Sequence, residues 1–270
     1  MSTGGGYRRH MATAEVNGAR LWYEEAGEGP AVVLVHGGLG DARLWDPQLG
    51  PLAERFRTIR FDLRFFGRST GPAAPFSYVD DLVGLLDELA VPRAALVGLS
   101  FGGRIAVDAA LAAPERCWAV VGVVPGLSGH DSRALTEEQD AAYDAAVEAG
   151  DLEAAMAIDF EVWAPLGADD RMRELWLSTP DADPLPPGVE PRPAASPALP
   201  RLGKLAVPTL VITARHDPPG MREIGPLVER KAPNARHVEV DSDHYLTLRE
   251  PELVTRLLVD FLAAAAPTAS

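Results

Sequence analysis

The stretch Ala94-Ala95-Leu96-Val97-Gly98-Leu99-Ser100-Phe101-Gly102-Gly103 decides the fold. An apolar run, Ala94 to Val97, meets Gly98, and a helical stretch, Gly102 to Ala113, begins almost at once. The pattern is strand, sharp turn, helix, with G-x-S-x-G at the turn and Ser100 at its apex. A serine on such a turn projects its hydroxyl into a cleft. Glycines two positions to either side let the turn pass its neighbours. The N-terminus of the following helix offers N–H groups and the positive end of a dipole to a developing oxyanion. A Gly/Ser loop can carry the same five letters. The strand before and the helix after set this stretch apart from one.

Working outward, further apolar runs flank this unit. They are Ala31 to Val35, Phe56 to Asp62, Ala119 to Val124, Thr209 to Thr213 and Arg236 to Val240. Most show no polar alternation, which predicts strands buried on both faces, hence a parallel sheet flanked by helices. Glu15 to Glu25, turning at Asn17-Gly18, reads as an opening hairpin. The fold class is therefore α/β, a βαβ series on a mostly parallel sheet.

Residues 127–202 break this rhythm. Thr136 to Ala149 opens on Thr136-Glu137-Glu138-Gln139, close to a capping box, and reads as a helix. Asp151 to Trp163 and Asp169 to Leu177 read as two more. No sheet strand follows any of them. Asp183 to Pro200 is rich in Pro and Ala and predicts irregular chain. The organisation expected is a core in two parts, 11–126 and 203–270, with a helical cap inserted over 127–202. Met1 to His10 is Gly-rich and basic and reads as a cloning remnant ahead of Met11, outside the fold.

The chain has 270 residues and a net charge of −14. Nucleic acid and anionic membrane both demand a basic footprint, so neither is expected as a partner. No apolar run reaches the roughly 18 residues of a membrane span. The N-terminus has no apolar segment of the kind a secretory signal carries. The single cysteine, Cys117, lies in the strand-like Cys117-Trp118-Ala119-Val120-Val121 and reads as a packed thiol, in keeping with a cytoplasmic location. There is no metal-ligand cluster, phosphate loop or dinucleotide fingerprint, so no cofactor is expected.

A serine nucleophile needs a base, and the base needs an orienting acid. His244 sits in Asp241-Ser242-Asp243-His244-Tyr245, after the last strand, where ligands bind in open α/β sheets. Asp217 follows the strand Leu210-Val211-Ile212-Thr213 and also reaches the strand ends. It could instead cap a helix ahead of Pro218. Asp241 and Asp243 are rivals, but both lie too near His244 along the loop to reach its far nitrogen easily. His36-Gly37-Gly38 follows the first buried strand, and the Gly38 and Phe101 N–H groups form the natural oxyanion pair. His36 precedes the donor and reads as structural. Candidate pocket residues are Leu39, Phe65, Trp163, Trp176 and Tyr245. Aromatic residues at helical spacing, such as Trp163, Trp176 and Phe160, more often pack a core than touch a ligand.

With these residues in place the chain resembles the α/β-hydrolase superfamily, in the capped branch of small carboxylesterases, C–C hydrolases, lactonases and cofactor-free haloperoxidases. The resemblance runs from about Ala14 to Phe261 and rests on His36-Gly37-Gly38, Gly98-Leu99-Ser100-Phe101-Gly102, Asp217 and His244. The order Ser100, Asp217, His244 is that of the family triad. Arg249-Glu250-Pro251-Glu252 is similar to the segment that follows the family histidine. The resemblance implies an acyl-enzyme serine hydrolase of an ester or lactone, acting on a small-molecule acyl substrate as a monomer or homodimer. A C–C bond hydrolase of a vinylogous ketone and a biosynthetic cyclase or lyase stay open as alternatives. An aspartate at position 100 would have implied an epoxide or haloalkane hydrolase. One position departs: where the family has D-x-R-G-x-G-x-S, this chain has Asp62-Leu63-Arg64-Phe65-Phe66-Gly67-Arg68-Ser69. Phe65 replaces a turn glycine, which predicts strain if its φ is positive, or a rebuilt turn, or an aromatic ring near the site.

Overall fold

The apolar runs become one sheet in a computed structural model that describes residues 8–180, 185, 189 and 191–267. Its strands are β1 (Arg9–Val16), β2 (Ala19–Ala26), β3 (Ala31–Val35), β4 (Arg57–Phe61), β5 (Ala94–Leu99), β6 (Cys117–Val123), β7 (Thr209–Ala214) and β8 (Ala235–Val240). They lie in the order β1-β2-β4-β3-β5-β6-β7-β8. The opening hairpin is antiparallel to its neighbours, and every later pair is parallel.

Each central strand feeds two layers, because successive side chains point to opposite faces. Val33 and Val35 pack on one side with Leu82, Leu85 and Ile105. Val32 and Leu34 pack on the other with Leu52, Leu258 and Phe261. The helices supplying these layers are α1 (Asp46–Ala53), α2 (Tyr78–Glu88), α3 (Phe101–Ala112) and, near the C-terminus, α10 (Pro251–Ala265). Burial on both faces removes the polar alternation, so strand and core are read from the same run of letters.

Between β6 and β7 lie α4 (Glu137–Ala149), α5 (Leu152–Trp163) and α6 (Asp170–Trp176). Thr136 and Gln139 complete the capping box of α4, and Asp151 caps α5 through the Ala154 N–H at 3.1 Å. These helices share one apolar cluster with the α1 and α10 layer through Met156, Phe160, Trp176, Leu44 and Tyr245. Much of Asp183 to Pro200 lies outside the described residues. What is described there is irregular: Arg192 N–H donates to the Phe76 carbonyl at 2.7 Å, and Ala198 N–H donates to Ser128 Oγ at 2.7 Å. After β7 come α7 (Pro219–Arg222) and α8 (Ile224–Lys231), and α9 (Leu246–Arg249) precedes α10.

The N-terminal boundary differs from the sequence expectation. Residues 1–7 lie outside the described part, but Arg9 and His10 are in β1, paired with Ala26 and Glu25. The antiparallel ladder simply continues past Met11, and the His10 ring meets Tyr23 edge-on at 6.0 Å. The fold therefore starts at least two residues before Met11.

Candidate active site

The turn between β5 and α3 holds Ser100 at φ +52°, ψ −114°, outside the basins a serine prefers. Such a conformation costs about 1–3 kcal/mol and persists only where its surroundings enforce it. The enforcement is visible. Ser100 N–H donates to the Val123 carbonyl at 2.9 Å, and the Ser100 carbonyl accepts from Arg104 N–H at 3.1 Å and Gly126 N–H at 2.9 Å. The glycines supply the closeness. A Cβ on Gly98 would fall on the Gly102 carbonyl, and one on Gly102 on the Val35 carbonyl. The backbones of β3, β5 and α3 touch where any larger residue would separate them.

His244 and Asp217 arrive from the ends of β8 and β7. Their loops are joined by Arg215 N–H to the Val240 carbonyl at 2.9 Å and His216 N–H to the Ser242 carbonyl at 3.0 Å, extending the strand pairing into the site. His244 Nε2 stands 2.7 Å from Ser100 Oγ, and His244 Nδ1 stands 3.0 and 3.1 Å from the two Asp217 oxygens. Both side chains are buried. A carboxylate accepting at Nδ1 holds the proton there and leaves the Nε2 lone pair for the serine hydroxyl. An imidazole so held can take the Ser100 proton.

The rival acids are otherwise engaged. Asp241 meets His216 Nε2 at 3.1 Å. Asp243 accepts from Arg249 Nε at 2.6 Å, Tyr245 N–H at 3.2 Å and Leu166 N–H at 3.3 Å. Asp217 is not a helix cap either, since α7 starts behind Pro218 with no side-chain cap.

Gly37 and Gly38 face the serine turn. A Cβ on Gly37 would stand 3.3 Å from Ser100 Cβ, and one on Gly38 would stand 4.0 Å from Phe101 Cβ. Phe101 opens α3, so its N–H lies ahead of the helix's own carbonyl acceptors. The Gly37-Gly38 loop thus lies close against the serine turn. His36 fixes the loop from beneath. It is fully buried, its Nδ1 lies 2.7 Å from the Gly37 carbonyl, and its Nε2 accepts the Leu63 N–H at 2.9 Å. Burial pushes its pKa down, so the ring is a neutral strut with its proton on Nδ1.

Among the pocket candidates, Leu39 and Tyr245 line a small cavity with Gly37, Gly38, Ser100 and His244. Trp163 lies against the base: its ring centroid is 4.4 Å from that of His244, and its carbonyl accepts the His244 N–H at 3.3 Å. Trp163 also lines a cleft of about 620 Å³ that opens beside Ser100. Trp176 does not serve as a pocket wall. It is fully buried, and its indole N–H donates to Asp159 at 2.7 Å inside the insertion. The helical pattern marks α6 as amphipathic but does not say what its apolar face meets.

Phe65 keeps the turn and bears the strain. Its φ is +69°, and its ring meets Phe76 edge-on at 5.5 Å. Its neighbours are pinned. Arg64 pairs with buried Asp81 at 2.8 Å, Ser69 Oγ donates to the Asp62 carbonyl at 2.6 Å, and Asp62 accepts from Ala42 N–H at 3.0 Å. Arg104, which the sequence reading passed over, projects into the same cleft as Ser100. The signal for it was its place one helical turn past the serine. Cys117 is buried with its thiol pushed up to about 12, which makes it inert packing. Among the described residues, no group of His, Cys, Asp and Glu could hold a metal ion, and no helix is long and apolar enough to cross a membrane.

The chain has relatives among curated proteins and solved structures. An epoxide hydrolase from Caballeronia sordidicola is 39% identical over 127 residues, 45% of this chain and 38% of that protein. Epoxide hydrolase 3 from Siraitia grosvenorii is 39% identical over 115 residues, 40% of this chain and 36% of that protein. The chain therefore matches well under half the length of these curated relatives. Among solved structures, the enol-lactonase from Burkholderia xenovorans aligns at 25% identity and TM-score 0.68, covering 93% of this chain and 100% of that one. The carboxylesterase CesB from Bacillus subtilis aligns at TM-score 0.79 and 20% identity, covering 95% of this chain and 92% of that one, a likeness of fold. A sequence model described as alpha/beta hydrolase fold matches residues 30–187, from the start of the first buried strand through the serine turn and into the insertion, and the chain belongs to that family.

Proposed function

We propose that the protein is a serine hydrolase that cleaves a carboxylic ester or lactone through an acyl-enzyme. One observation carries the reading: the unbroken line from Asp217 through His244 to Ser100 Oγ, with contacts of 3.0 and 2.7 Å. His244 Nε2 takes the hydroxyl proton as Ser100 Oγ attacks the carbonyl carbon. The Gly38 and Phe101 N–H groups receive the charge that develops on the carbonyl oxygen. The tetrahedral intermediate collapses, the carbonyl–leaving-group bond breaks, and His244 returns the proton to the departing oxygen. Water then repeats the sequence on the acyl-serine, releasing the acid and free Ser100. Asp217 holds the imidazole tautomer through its contacts at Nδ1. Residues 127–202 act as a cap that shapes the approach to Ser100.

The epoxide hydrolase names above belong to relatives matched over little more than a third of their length. A neutral hydroxyl activated by a histidine suits attack on a carbonyl. The test is a panel of acyl esters and lactones run with wild type and Ser100→Ala, together with fluorophosphonate labelling. We expect the variant to lose at least about a thousandfold in rate and all labelling. Equal rates in both proteins would overturn the reading.

A further inference from the structure

We infer that the cleft beside Ser100 takes an acyl substrate bearing a second, anionic carboxylate, and that Arg104 reads it. This rests on the acyl-transfer reading of Ser100. The cleft, about 620 Å³, is lined by residues from α3, the loop after β6, the irregular return segment and Trp163. Its described lining contains one guanidinium, that of Arg104, and no carboxylate. That is notable on a chain with 39 acidic residues and a net charge of −14. A positive group in a cleft is felt more strongly than the same charge on open surface.

Arg104 is placed, and its guanidinium is ion-paired with Asp108 without a hydrogen bond between them. Its N–H donates to the Ser100 carbonyl at 3.1 Å, so its side chain rises one helical turn past the nucleophile. Its Nε lies 4.0 Å from Asp108 Oδ2, beyond a hydrogen bond, and its guanidinium carbon lies 5.8 Å from the Phe101 ring centroid. Among the described residues, no acceptor takes a hydrogen bond from its guanidinium. Asp108 is buried on the same helix and accepts the Ser128 hydroxyl. It steadies Arg104 through the Nε side, and the guanidinium keeps donors for a substrate carboxylate, whose two oxygens match its fork. His130 lines the same cleft, with its Nδ1 buried without a hydrogen-bond partner and its Nε2 3.9 Å from Glu223; it can add a hydrogen bond, while Arg104 carries the fixed positive charge. Trp163 supplies an apolar face for the carbon chain between the two ends.

The experiment compares nitrophenyl monoesters of succinate, glutarate and adipate with neutral nitrophenyl esters of equal chain length, in wild type, Arg104→Gln and Arg104→Lys. Wild type is expected to favour at least one monoester over its neutral counterpart in kcat/KM. Arg104→Gln should lose about 30-fold on that monoester, in line with one charge-assisted pair, and change less than about threefold on the neutral ester. Arg104→Lys should fall between the two. Equal losses on charged and neutral esters, with an unchanged melting temperature, would overturn the inference while leaving the serine mechanism standing. So would a wild type that prefers the neutral esters at every length. Wild type inert to all of these esters and unlabelled by fluorophosphonate would overturn the mechanism and the inference together.

Discussion

The two sides of Ser100 are built from different materials. On the sheet side, backbone does the positioning: Gly98 and Gly102 bring strand and helix into contact, and paired loop N–H groups align Asp217 with His244. On the insertion side, side chains enter the contacts: the Trp163 ring lies on His244, the Asp243 carboxylate accepts the Leu166 N–H, and the Arg249 guanidinium donates to the Gly167 carbonyl. Backbone contacts admit little substitution and few alternative geometries. Side-chain contacts can be traded one at a time. The sheet side should therefore govern whether the reaction runs, and the insertion side which substrate it runs on.

The largest effect should come from the sheet side. Asp217→Asn keeps the shape of the acid but donates where it should accept, which favours the wrong imidazole tautomer. Rates should fall about 10³-fold or more on every ester in a panel, with the ranking of esters unchanged. A reordered ranking would break the proposed division of labour.

Trp163→Ala tests the other side. It removes the ring against His244 and part of the cleft wall. A loss of about tenfold is expected, roughly the worth of one aromatic contact, and it should differ between short and long acyl chains. A uniform loss across all chain lengths would assign Trp163 to packing alone.

The smallest effect should be Phe65→Gly. Relief of the positive φ offsets the lost edge-to-face contact with Phe76, each worth about 1 kcal/mol. The melting temperature should move by only a few degrees, while fluorophosphonate labelling of Ser100 persists. Loss of labelling would show that the Phe65 turn supports the serine directly.

The same division explains what could be read from the letters. β5, the serine turn and α3 are local. An apolar run, a glycine pair and a helical stretch state them within twenty positions, and packing only had to agree. Asp217 and His244 were legible because loops after parallel strands all gather at one end of the sheet. Trp163 on His244 was not, because it depends on how α5 is laid across the strand ends. Trp176 misled for the same reason: its spacing announces an apolar face, and only the tertiary structure buries that face against its own insertion. Arg9 and His10 escaped because an edge strand carries polar residues whose pairing is set by the backbone opposite. Phe65 was visible as a departure, but not the web of Asp62, Arg64 and Ser69 that lets the chain keep it there.

The tie at Asp243 has a consequence in time rather than in shape. Arg249 donates to Asp243 and to the Gly167 carbonyl, Asp243 accepts the Leu166 N–H, and the Trp163 carbonyl accepts the N–H of His244 itself. An outward swing of the chain from Trp163 to Gly167 would break these bonds on the loop that carries the base. Opening wide for exchange and losing alignment of the imidazole are then one event. The bonds that keep this stretch in place and the bonds that keep the base aligned are therefore the same set.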